Sequence, residues 1–563
     1  LRSVGSNGGQ AAAFTYDLAR SVVTTRQGNP AWVGQERDGQ APIRANDLFF
    51  PDWVNLDKVD IPQADEQQRL LANLITRMTA DRIPLPRLWY FPNGKKAAVV
   101  MTGDDHGNGG TDGRFGQFSA ASAPGCSVAN WECVRATSYV YPNTPLADAA
   151  ALEADGFEVA LHTNTNCQTY TPAQLQAFFS AQLASFALAF PGVPAPSTNR
   201  THCIAWAGWV DQPVVEAANG IRFDTNYYYW PGAWVQDRPG MFTGSGMPMR
   251  FADTDGTLVD VYQSATQMTD ESGQSYPATI DALLNRAVGS QGFYGAFTAN
   301  IHTDNASDAR ATAIVASAQS RGIPVVSSRQ MLTWTDARND SALINMDYSG
   351  DTLSFFIQAD ADAVGLTAMV PTSGPSGTLS AIDRNGNIAV NYTTQTIKGV
   401  EYAFFPAVSG QYEAAYAPSL SFLTDTTADD FGAGTHDGNV TTGEDLALRA
   451  AVDDSFDSFP AGWTSGAWNP GGAVTADGAL NADGAFAATS AFYGPGRTIE
   501  FEATFGGANF QNAGLGVDLN DDPAWAVIGI GGDGILSART NAGGPSTALG
   551  QALIGTPHHY RIT

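Results

Sequence analysis

Ala97-Ala-Val-Val-Met-Thr-Gly-Asp-Asp-His106 is the stretch of sequence that decides the fold of this chain. Residues 97–102 form a nearly continuous apolar run, which is typical of a strand buried on both faces of a parallel sheet. The run ends directly in two carboxylates, and burying two adjacent charges is costly unless a cation or an arginine lies beside them. One carboxylate could bind a metal while its neighbour acts as a base. The alternative is a turn with two exposed aspartates.

Strands and helices alternate around this stretch, from about residue 93 to residue 335. Repeated units of this kind favour a parallel α/β sheet or barrel. We therefore predict a multidomain α/β plus β chain, in which a distorted (β/α) barrel precedes β-sandwich domains. The other predicted strands lie at 138–141, 157–161, 201–206, 221–225, 294–301 and 325–326, with a hairpin at 249–263. The predicted helices lie at 145–154, 172–190, 277–288 and 308–320.

The 563 residues are too many for one core, since a domain takes roughly 150 residues. Pattern and composition predict five parts. They are a partial N-terminal α/β domain (1–92), the barrel domain (93–338), a small β-sandwich (339–421), a linker rich in Asp, Thr and Gly (422–454), and a partial jelly roll of laminin-G or concanavalin type (455–563). In the sandwich, strands are predicted at 353–357, 377–381 and 402–405.

One helix is predicted in the N-terminal part, at residues 65–82. Its apolar residues recur at the three-and-four spacing of a single face, and Asp65 is a candidate cap. The predicted apolar face consists of Leu70, Leu71, Leu74, Ile75 and Met78.

The net charge of the chain disfavours some classes of binding partner. The chain has 29 Lys and Arg against 56 Asp and Glu, a net charge of -27. Such a surface repels nucleic acid and anionic membranes, whereas neutral or cationic polymers are easier partners. The sequence contains no run of about 18 apolar residues, so it predicts no membrane span. Because the chain starts at Leu1 without Met and stops at Thr563 in a strand-like segment, we expect both ends to be processed or truncated.

The four cysteines lie close together along the chain, and none forms a C-x-x-C pair. We favour the pairs Cys126–Cys133 and Cys167–Cys203. Disulfides indicate an oxidising compartment, so we expect a secreted protein. The alternative is four buried free thiols.

Four of the seven histidines fall in the α/β region. His106, His162 and His302 follow the carboxyl ends of predicted strands, and His202 lies at the start of one. The carboxyl ends are where α/β folds bind ligands, so this pattern predicts one shared site.

The order of the motifs in this region is a strand followed by Thr-x-Asp-Asp, then His-Thr, then Arg, then Asp…Trp, and then a strand that ends in His. This order resembles that of the polysaccharide deacetylase family (carbohydrate esterase family four). The wider chain looks similar to the galactosaminogalactan deacetylase type and its bacterial multidomain relatives, which are secreted. The resemblance covers residues 93–335. It implies metal-dependent hydrolysis of acetyl groups from an N-acetylated extracellular or cell-wall polysaccharide of amino sugars.

The resemblance implies a role for each motif residue. Asp104 would be the general base and Asp105 a metal ligand. His162 would be a second ligand, whereas Asn166 stands where the family has another histidine. Arg200 would orient the base.

The later motifs, Phe223-Asp-Thr-Asn-Tyr-Tyr-Tyr-Trp230 and Asn300-Ile-His302-Thr-Asp304, imply the remaining roles. Asp224 would tune the catalytic histidine, and His302 would be the general acid. The aromatic run would stack against sugar rings. The alternative is a packed aromatic core. The candidate platform comprises Tyr227, Tyr228, Tyr229, Trp230 and Trp234.

The third metal ligand is assigned to His202. Residues two apart in a strand face the same side, so Arg200 and His202 would point into one cavity. A Cys167–Cys203 disulfide would tie the loop after His162 to this place. Asn166 and His106 are the alternatives, and both are also candidate substrate contacts. Asp, His, His and water suit catalytic zinc, although Co²⁺ and Ni²⁺ accept the same ligands. The sequence leaves the oligomeric state open.

Two other functions fit the same residues. In a glycoside hydrolase, Asp104 and Asp224 would be the acid and the base. In a non-catalytic carbohydrate-binding or adhesion protein, Asn166 would mark a decayed metal site and the β-rich tail would bind sugar.

Overall fold

The structure is a computed structural model that describes residues 2–4, 9–417, 439–442, 445–448, 456–476, 478–491, 498–516, 525–540 and 546–562. The chain forms two compact units, Leu1–Phe422 and Leu423–Thr563. Within the described residues, no helix combines the length and apolar character that crossing a membrane requires.

A ten-stranded, mainly parallel sheet dominates the first unit. Eight neighbouring strand pairs in it run parallel, and only the pair formed by Leu258–Gln263 and Met249–Ala252 is antiparallel. Val325–Val326 pairs beside the first half of Ala97–Asp105. In spatial order the other strands are Thr266–Thr269, Gly295–Asn300, Ala97–Asp105, Thr137–Val140, Glu158–Thr163, Thr198–Thr201, Phe223–Asp224, Leu258–Gln263 and Met249–Ala252.

The sheet curls so that its flanks meet. Thr266, in the strand at one end of the order, forms a parallel bridge with Tyr228, which follows Phe223–Asp224 near the other end. The backbone N–H of Thr266 donates to the carbonyl of Tyr227 at 2.7 Å. The prediction of a mixed α/β fold with a curled parallel sheet followed by antiparallel sheets is confirmed.

Helices cover the sheet, and their starts follow the sequence rules for capping. Thr171 caps the helix that begins at Pro172, and Gln174 returns a hydrogen bond to the cap residue. The helices are Leu18–Gln27, Gln63–Thr79, Thr111–Ala121, Ala149–Ala154, Pro172–Ala189, Asp211–Ala218, Gly232–Val235, Ala278–Val288, Ala309–Ser320 and Ser328–Asp340. Short 3₁₀ turns lie at Pro30–Trp32, Ala45–Leu48, Leu56–Lys58, Pro92–Gly94, His202–Ile204 and Gln551–Leu553.

The predicted N-terminal helix forms, but its orientation differs from the prediction. Asp65 does not cap it, because its carboxylate accepts from the N–H of Gly246 at 2.9 Å and from Ser245 Oγ at 2.5 Å. Leu70 and Ile75 are exposed by 49% and 46%, so the predicted apolar face is not the buried one. Asp65 anchors the buried side of this helix to the loop that contains Ser245 and Gly246.

The strand predicted at 201–206 is also wrong. Strand pairing ends at Thr201, and His202–Ile204 form a 3₁₀ turn in which Cys203 has a φ of 60°. His202 therefore follows a strand end, as His106 and His302 do, while His162 lies in the last two residues of its strand.

The rest of the first unit is antiparallel β, and the three predicted sandwich strands are present in slightly longer form. Arg87–Leu88 pairs with Thr367–Pro371 and joins this part to the segment that precedes the central strand. The predicted domain boundaries stay a prediction. The strands are Ala342–Ser349, Thr352–Gln358, Thr367–Pro371, Ser373–Gly374, Gly377–Arg384, Ile388–Ala389, Thr393–Ile397, Val400–Pro406 and Gly410–Ala417. A separate pair near the amino terminus is Arg2–Val4 with Gly9–Ala11.

The described parts of the second unit are almost entirely β. The predicted linker, 422–454, lies outside the described residues apart from the paired strands Asn439–Thr442 and Asp445–Leu448. The other strands are Trp463–Ala476, Ala479–Thr489, Ile499–Ala503, Gln511–Gly516, Trp525–Ile530, Leu536–Thr540, Ser546–Ala548 and His558–Ile562.

Candidate active site

Four histidines from four separate strand ends converge on one place. The ring centroid of His106 lies 5.3 Å from that of His162, 4.9 Å from that of His202 and 5.3 Å from that of His302. Tyr141 stacks on His162 at 5.4 Å. The parallel register explains the convergence, because it places the carboxyl ends of neighbouring strands at the same edge.

Three of these rings form a group suited to a metal ion. One nitrogen from each of His106, His162 and His202 lies within 4.8 Å of the other two. His162 Nδ1 donates to the carbonyl oxygen of Arg200 at 3.0 Å, which leaves His162 Nε2 free, 3.3 Å from His202 Nδ1. Burial lowers the pKa of His162 to about 3, so its imidazole is neutral and able to bind a metal.

His106 is held by a carboxylate that the sequence analysis gave no role. Asp304 accepts from the backbone N–H of His106 at 2.7 Å and from His106 Nδ1 at 2.9 Å. Burial alone would raise the pKa of Asp304, but hydrogen bonds from His106 lower it to about 2. This contact fixes the ring and directs Nε2 of His106 away from the carboxylate.

Asp104 presents a free oxygen to the histidines. Its Oδ2 accepts from Asn300 Nδ2 at 2.9 Å. Its Oδ1 is buried, lies 3.7 Å from Arg200 Nε and 4.0 Å from His162 Nδ1, and has no hydrogen-bond partner among the described residues. Burial acts to raise the pKa of Asp104, but the Arg200 charge and the nearby histidines lower it overall, so the carboxylate is ionised.

Arg200 is fully buried and rigidly held. Its Nη2 donates to Thr102 Oγ1 at 2.9 Å and to Thr266 Oγ1 at 3.2 Å. The rings of Tyr139 and Tyr228 lie 5.7 and 5.4 Å from its guanidinium carbon. A cation fixed in this way favours the charged form of Asp104, as the sequence analysis expects.

Asp105 is placed differently from the prediction. Its Oδ1 accepts from the N–H groups of Gly107, Asn108 and Gly109 at 3.1, 2.8 and 3.0 Å, and its Oδ2 accepts from Thr111 Oγ1 at 2.8 Å. It belongs to none of the close groups of potential ligand atoms among the described residues. Successive side chains in a strand point to opposite sides, so Asp105 organises the following loop. These contacts give no support to its assignment as a metal ligand, which stays a prediction.

The carboxylate that holds His302 is Asp270, not Asp224. Asp270 accepts from the N–H of His302 at 3.0 Å and from its Nδ1 at 2.8 Å. Arg310 Nη2 lies 3.5 Å from the same carboxylate, and His302 Nε2 lies 3.9 Å from Glu271 Oε1. Burial alone would lower the pKa of His302, but the bond from Asp270 and the nearby carboxylates raise it to about 9.

Asp224 lies behind the site and is fully buried. Its carboxylate accepts from the N–H of Asn226 at 3.0 Å and from Gln212 Nε2 at 3.4 Å. Burial raises the pKa of Asp224 to about 6, and burial beside Asp224 raises the pKa of Glu216 well above its usual value. Asp224 has no exposed surface, so the structure gives no support to the alternative in which Asp104 and Asp224 form a glycosidase pair.

Most of the predicted aromatic platform is core. Tyr227 and Tyr229 are buried in one apolar cluster with Trp234. Tyr228 is buried too, and its hydroxyl donates to Glu271 Oε2 at 3.2 Å and accepts from Asn300 at 3.1 Å. Trp230 alone is half-buried.

Asn166 is exposed, and its N–H donates to Asn164 Oδ1 at 2.7 Å, a local turn with φ of 56°. Its candidate role at the metal or substrate stays a prediction.

Both predicted disulfides are present. Cys126 pairs with Cys133 and Cys167 with Cys203, at Cα–Cα distances of 5.3 and 5.4 Å. The second bond holds the loop after His162 against the residue next to His202. These bonds are compatible with a secreted protein.

The His302–Asp270 contact predicts a pH dependence of stability. The folded pKa of His302, about 9, lies above the unfolded value of roughly 6.5. The contact therefore contributes fully below pH ~6.5, and its contribution is lost as pH rises through about 9. We expect the free energy of unfolding of the metal-free protein to fall by roughly 1–3 kcal/mol across this window. Denaturant titrations of the Asp270→Asn variant should lack this part of the fall, and an unchanged fall would contradict the assignment.

No protein-family model matches the chain, and no curated protein matches it. Among solved structures, the polysaccharide deacetylase Bc1974 from Bacillus cereus is similar at 12% identity over 41% of this chain and 91% of that one, with a TM-score of 0.23. Agd3, described as a novel carbohydrate deacetylase, is similar at 11% identity over 62% of this chain and 68% of that one, with a TM-score of 0.30. The α-fucosidase of Thermotoga maritima gives 7% identity over 58% and 97%, with a TM-score of 0.21. At such TM-scores these likenesses carry no argument about activity, which rests on the site itself.

Proposed function

We propose that this chain is a metal-dependent hydrolase that removes acetyl groups from an N-acetylated polysaccharide of amino sugars. One observation carries the proposal. The buried and unpartnered Oδ1 of Asp104 lies beside three convergent histidines, and the His302–Asp270 pair lies against the same group. A candidate base, a candidate metal group and a candidate acid therefore lie side by side.

The residues fit a divalent metal ion. We assign His106, His162 and His202 as the ligands, with Asp304 and the Arg200 carbonyl as the partners that orient two of the rings. Histidine ligands with such partners are typical of catalytic zinc, and Co²⁺ and Ni²⁺ accept the same nitrogens. A metal held there would supply Lewis acidity and lower the pKa of a bound water towards about 7.

The side chains of this chain would supply the proton transfers. Asp104 is ionised and would accept the proton of the attacking water through Oδ1. Arg200 keeps Asp104 ionised, and Asn300 fixes its orientation through Oδ2. His302 is protonated at neutral pH, because its pKa is about 9, and would donate its proton to the leaving amine of the sugar.

These roles favour a substrate in which the bond to be hydrolysed is an amide. Hydrolysis of an acetamide needs a proton on the departing nitrogen, which the His302 imidazolium would provide. The half-buried Trp230 and the half-buried Tyr141 beside the histidine rings are the aromatic surfaces that we assign to sugar contacts. The net charge of -27 also favours a neutral or cationic polymer over an acidic one.

Acetate release from poly-N-acetylhexosamine tests the proposal. We expect the metal-loaded protein to release acetate without new reducing ends, to lose this activity after chelation, and to regain it when Zn²⁺ is added. Reducing ends that form despite chelator would instead show a glycosidase. Sugar binding that is unchanged by Asp104→Asn, with no acetate from any acetylated polymer, would show a non-catalytic carbohydrate-binding protein.

A further inference from the structure

A cavity of about 310 Å³ lies in the first unit, and none of the four histidines, Asp104 or Arg200 lines it. Its size is that of a small ligand pocket, which typically starts at about 300 Å³. Four of its fifteen lining residues are arginines, and one is a carboxylate, Asp65. This is an unusual concentration of positive charge in a chain with a net charge of -27. The arginines are Arg26, Arg69, Arg87 and Arg338.

Two of these arginines are neutralised within the fold. Arg26 Nη1 lies 3.8 Å from Asp65 Oδ1, and both side chains are buried. Arg69 Nη1 donates to Glu66 Oε1 at 2.7 Å. These pairs account for the structural role of the two residues, and they leave the charge of the other two uncompensated.

Arg87 and Arg338 form no ion pair with any residue that the structure describes. Arg338 is held by the backbone, since its Nε donates to the carbonyl of Trp89 at 2.8 Å and its Nη2 to that of Leu88 at 3.0 Å. Its Nη1 donates to Asn339 Oδ1 at 3.1 Å. Burial lowers the pKa of Arg338, and the charge of Arg87 lowers it further. Two neighbouring guanidinium groups without an anion repel each other, so a bound anion would be favoured here.

The remaining wall of the cavity is aromatic and apolar. Trp334 Nε1 donates to the carbonyl of Tyr90 at 2.9 Å, which fixes the indole ring in place. Tyr90, Met331 and Met247 also line the cavity. A wall of this kind can pack against the ring of a ligand, whereas a free inorganic ion would make no apolar contact with it.

We propose that this cavity binds a small organic anion whose carboxylate is carried on a ring. Arg87 and Arg338 would hold the carboxylate, because planar guanidinium groups match its two oxygens. Trp334 and Tyr90 would contact the ring. This site is separate from the histidines, so it stands whether or not the chain hydrolyses acetyl groups.

Calorimetric titration of the full chain at low salt tests the site. Chelator is present throughout, so that a carboxylate cannot bind a metal at the histidines. Glucuronate and benzoate are the probes for a sugar ring and an aromatic ring, and glucose and benzyl alcohol are their neutral counterparts. We expect saturable one-to-one binding of at least one acid and none of its neutral counterpart.

The Arg87→Gln variant provides the decisive comparison, because the Arg87 side chain makes no hydrogen bond to the described residues and its loss leaves the fold intact. We expect about tenfold weaker binding, as for the loss of one charged hydrogen bond. Arg82→Gln removes the same charge from an exposed position outside the cavity and should bind as the unmodified chain does. Equal affinities of all three proteins, equal losses in both variants, or the absence of saturable binding would overturn the proposal.

Discussion

The Asp104→Asn variant is expected to release acetate about 10²- to 10⁴-fold more slowly than the unmodified chain, which is the usual contribution of a general base. Asparagine keeps the shape of the side chain and can still meet Asn300, but it cannot take a proton from water. The effect should fall on kcat, since Oδ1 has no hydrogen-bond partner among the described residues and, in the proposed role, acts only during the reaction. Steady-state acetate assays at saturating metal measure this.

Metal content separates this role from a ligand role. If Asp104 is the base, the Asp104→Asn variant binds Zn²⁺ with nearly the same affinity as the unmodified chain. Loss of the metal together with the activity would show that Asp104 is a ligand instead. A decrease in activity of less than about tenfold would show that the proton goes elsewhere.

The sequence was sufficient to predict the sheet and the meeting of the histidines. An apolar run buried on both faces indicates a central strand, and strand–helix alternation indicates parallel neighbours whose carboxyl ends share an edge. The four histidines follow from that rule, because His162 lies in the last two residues of its strand and the other three come within two residues after a strand end. The disulfides were also predictable, since the cysteines are few and close in sequence.

The partners of the histidines were not predictable in the same way. Asp270 lies directly after the short strand Thr266–Thr269, and the sequence predicted no strand there. Asp270 and His302 are 32 residues apart in the sequence, and they meet because the strands that precede them pair in parallel. The family resemblance implied Asp224, an acid earlier in the chain, in that role.

The orientation of Asp105 in the structure has a physical cause that the sequence did contain. Side chains alternate along a strand, so Asp104 and His106 share one side and Asp105 takes the other. The prediction for Arg200 and His202 used this alternation of side chains, whereas the prediction for Asp104 and Asp105 did not. Gly107 and Gly109 follow at once, and both have positive φ values, 90° and 78°, in the loop that presents its N–H groups to Asp105. A glycine-rich turn after an aspartate is a signal for such a loop.

Replacing His162 with Gln is expected to remove the metal and, with it, all measurable acetate release. His162 is buried, and its Nε2 faces His202, so no other described side chain can take its place without moving the strand end. Changes to the partners of a ligand alone cost about 10- to 100-fold in metal affinity, so the loss of a ligand should cost more than about 100-fold. Equilibrium dialysis against Zn²⁺ measures the affinity.

A matched pair of variants then decides the third ligand. His106→Gln should weaken Zn²⁺ binding as His162→Gln does, because both rings belong to the same close group. Asp105→Asn should keep the metal and instead lower stability by about 1–3 kcal/mol, since the new amide N–H groups would face Thr111, which donates to the carboxylate. The opposite outcome, with metal lost in Asp105→Asn and kept in His106→Gln, would restore Asp105 as the ligand. Because the two residues are adjacent but face opposite sides of the strand, this comparison tests the orientation of the whole motif.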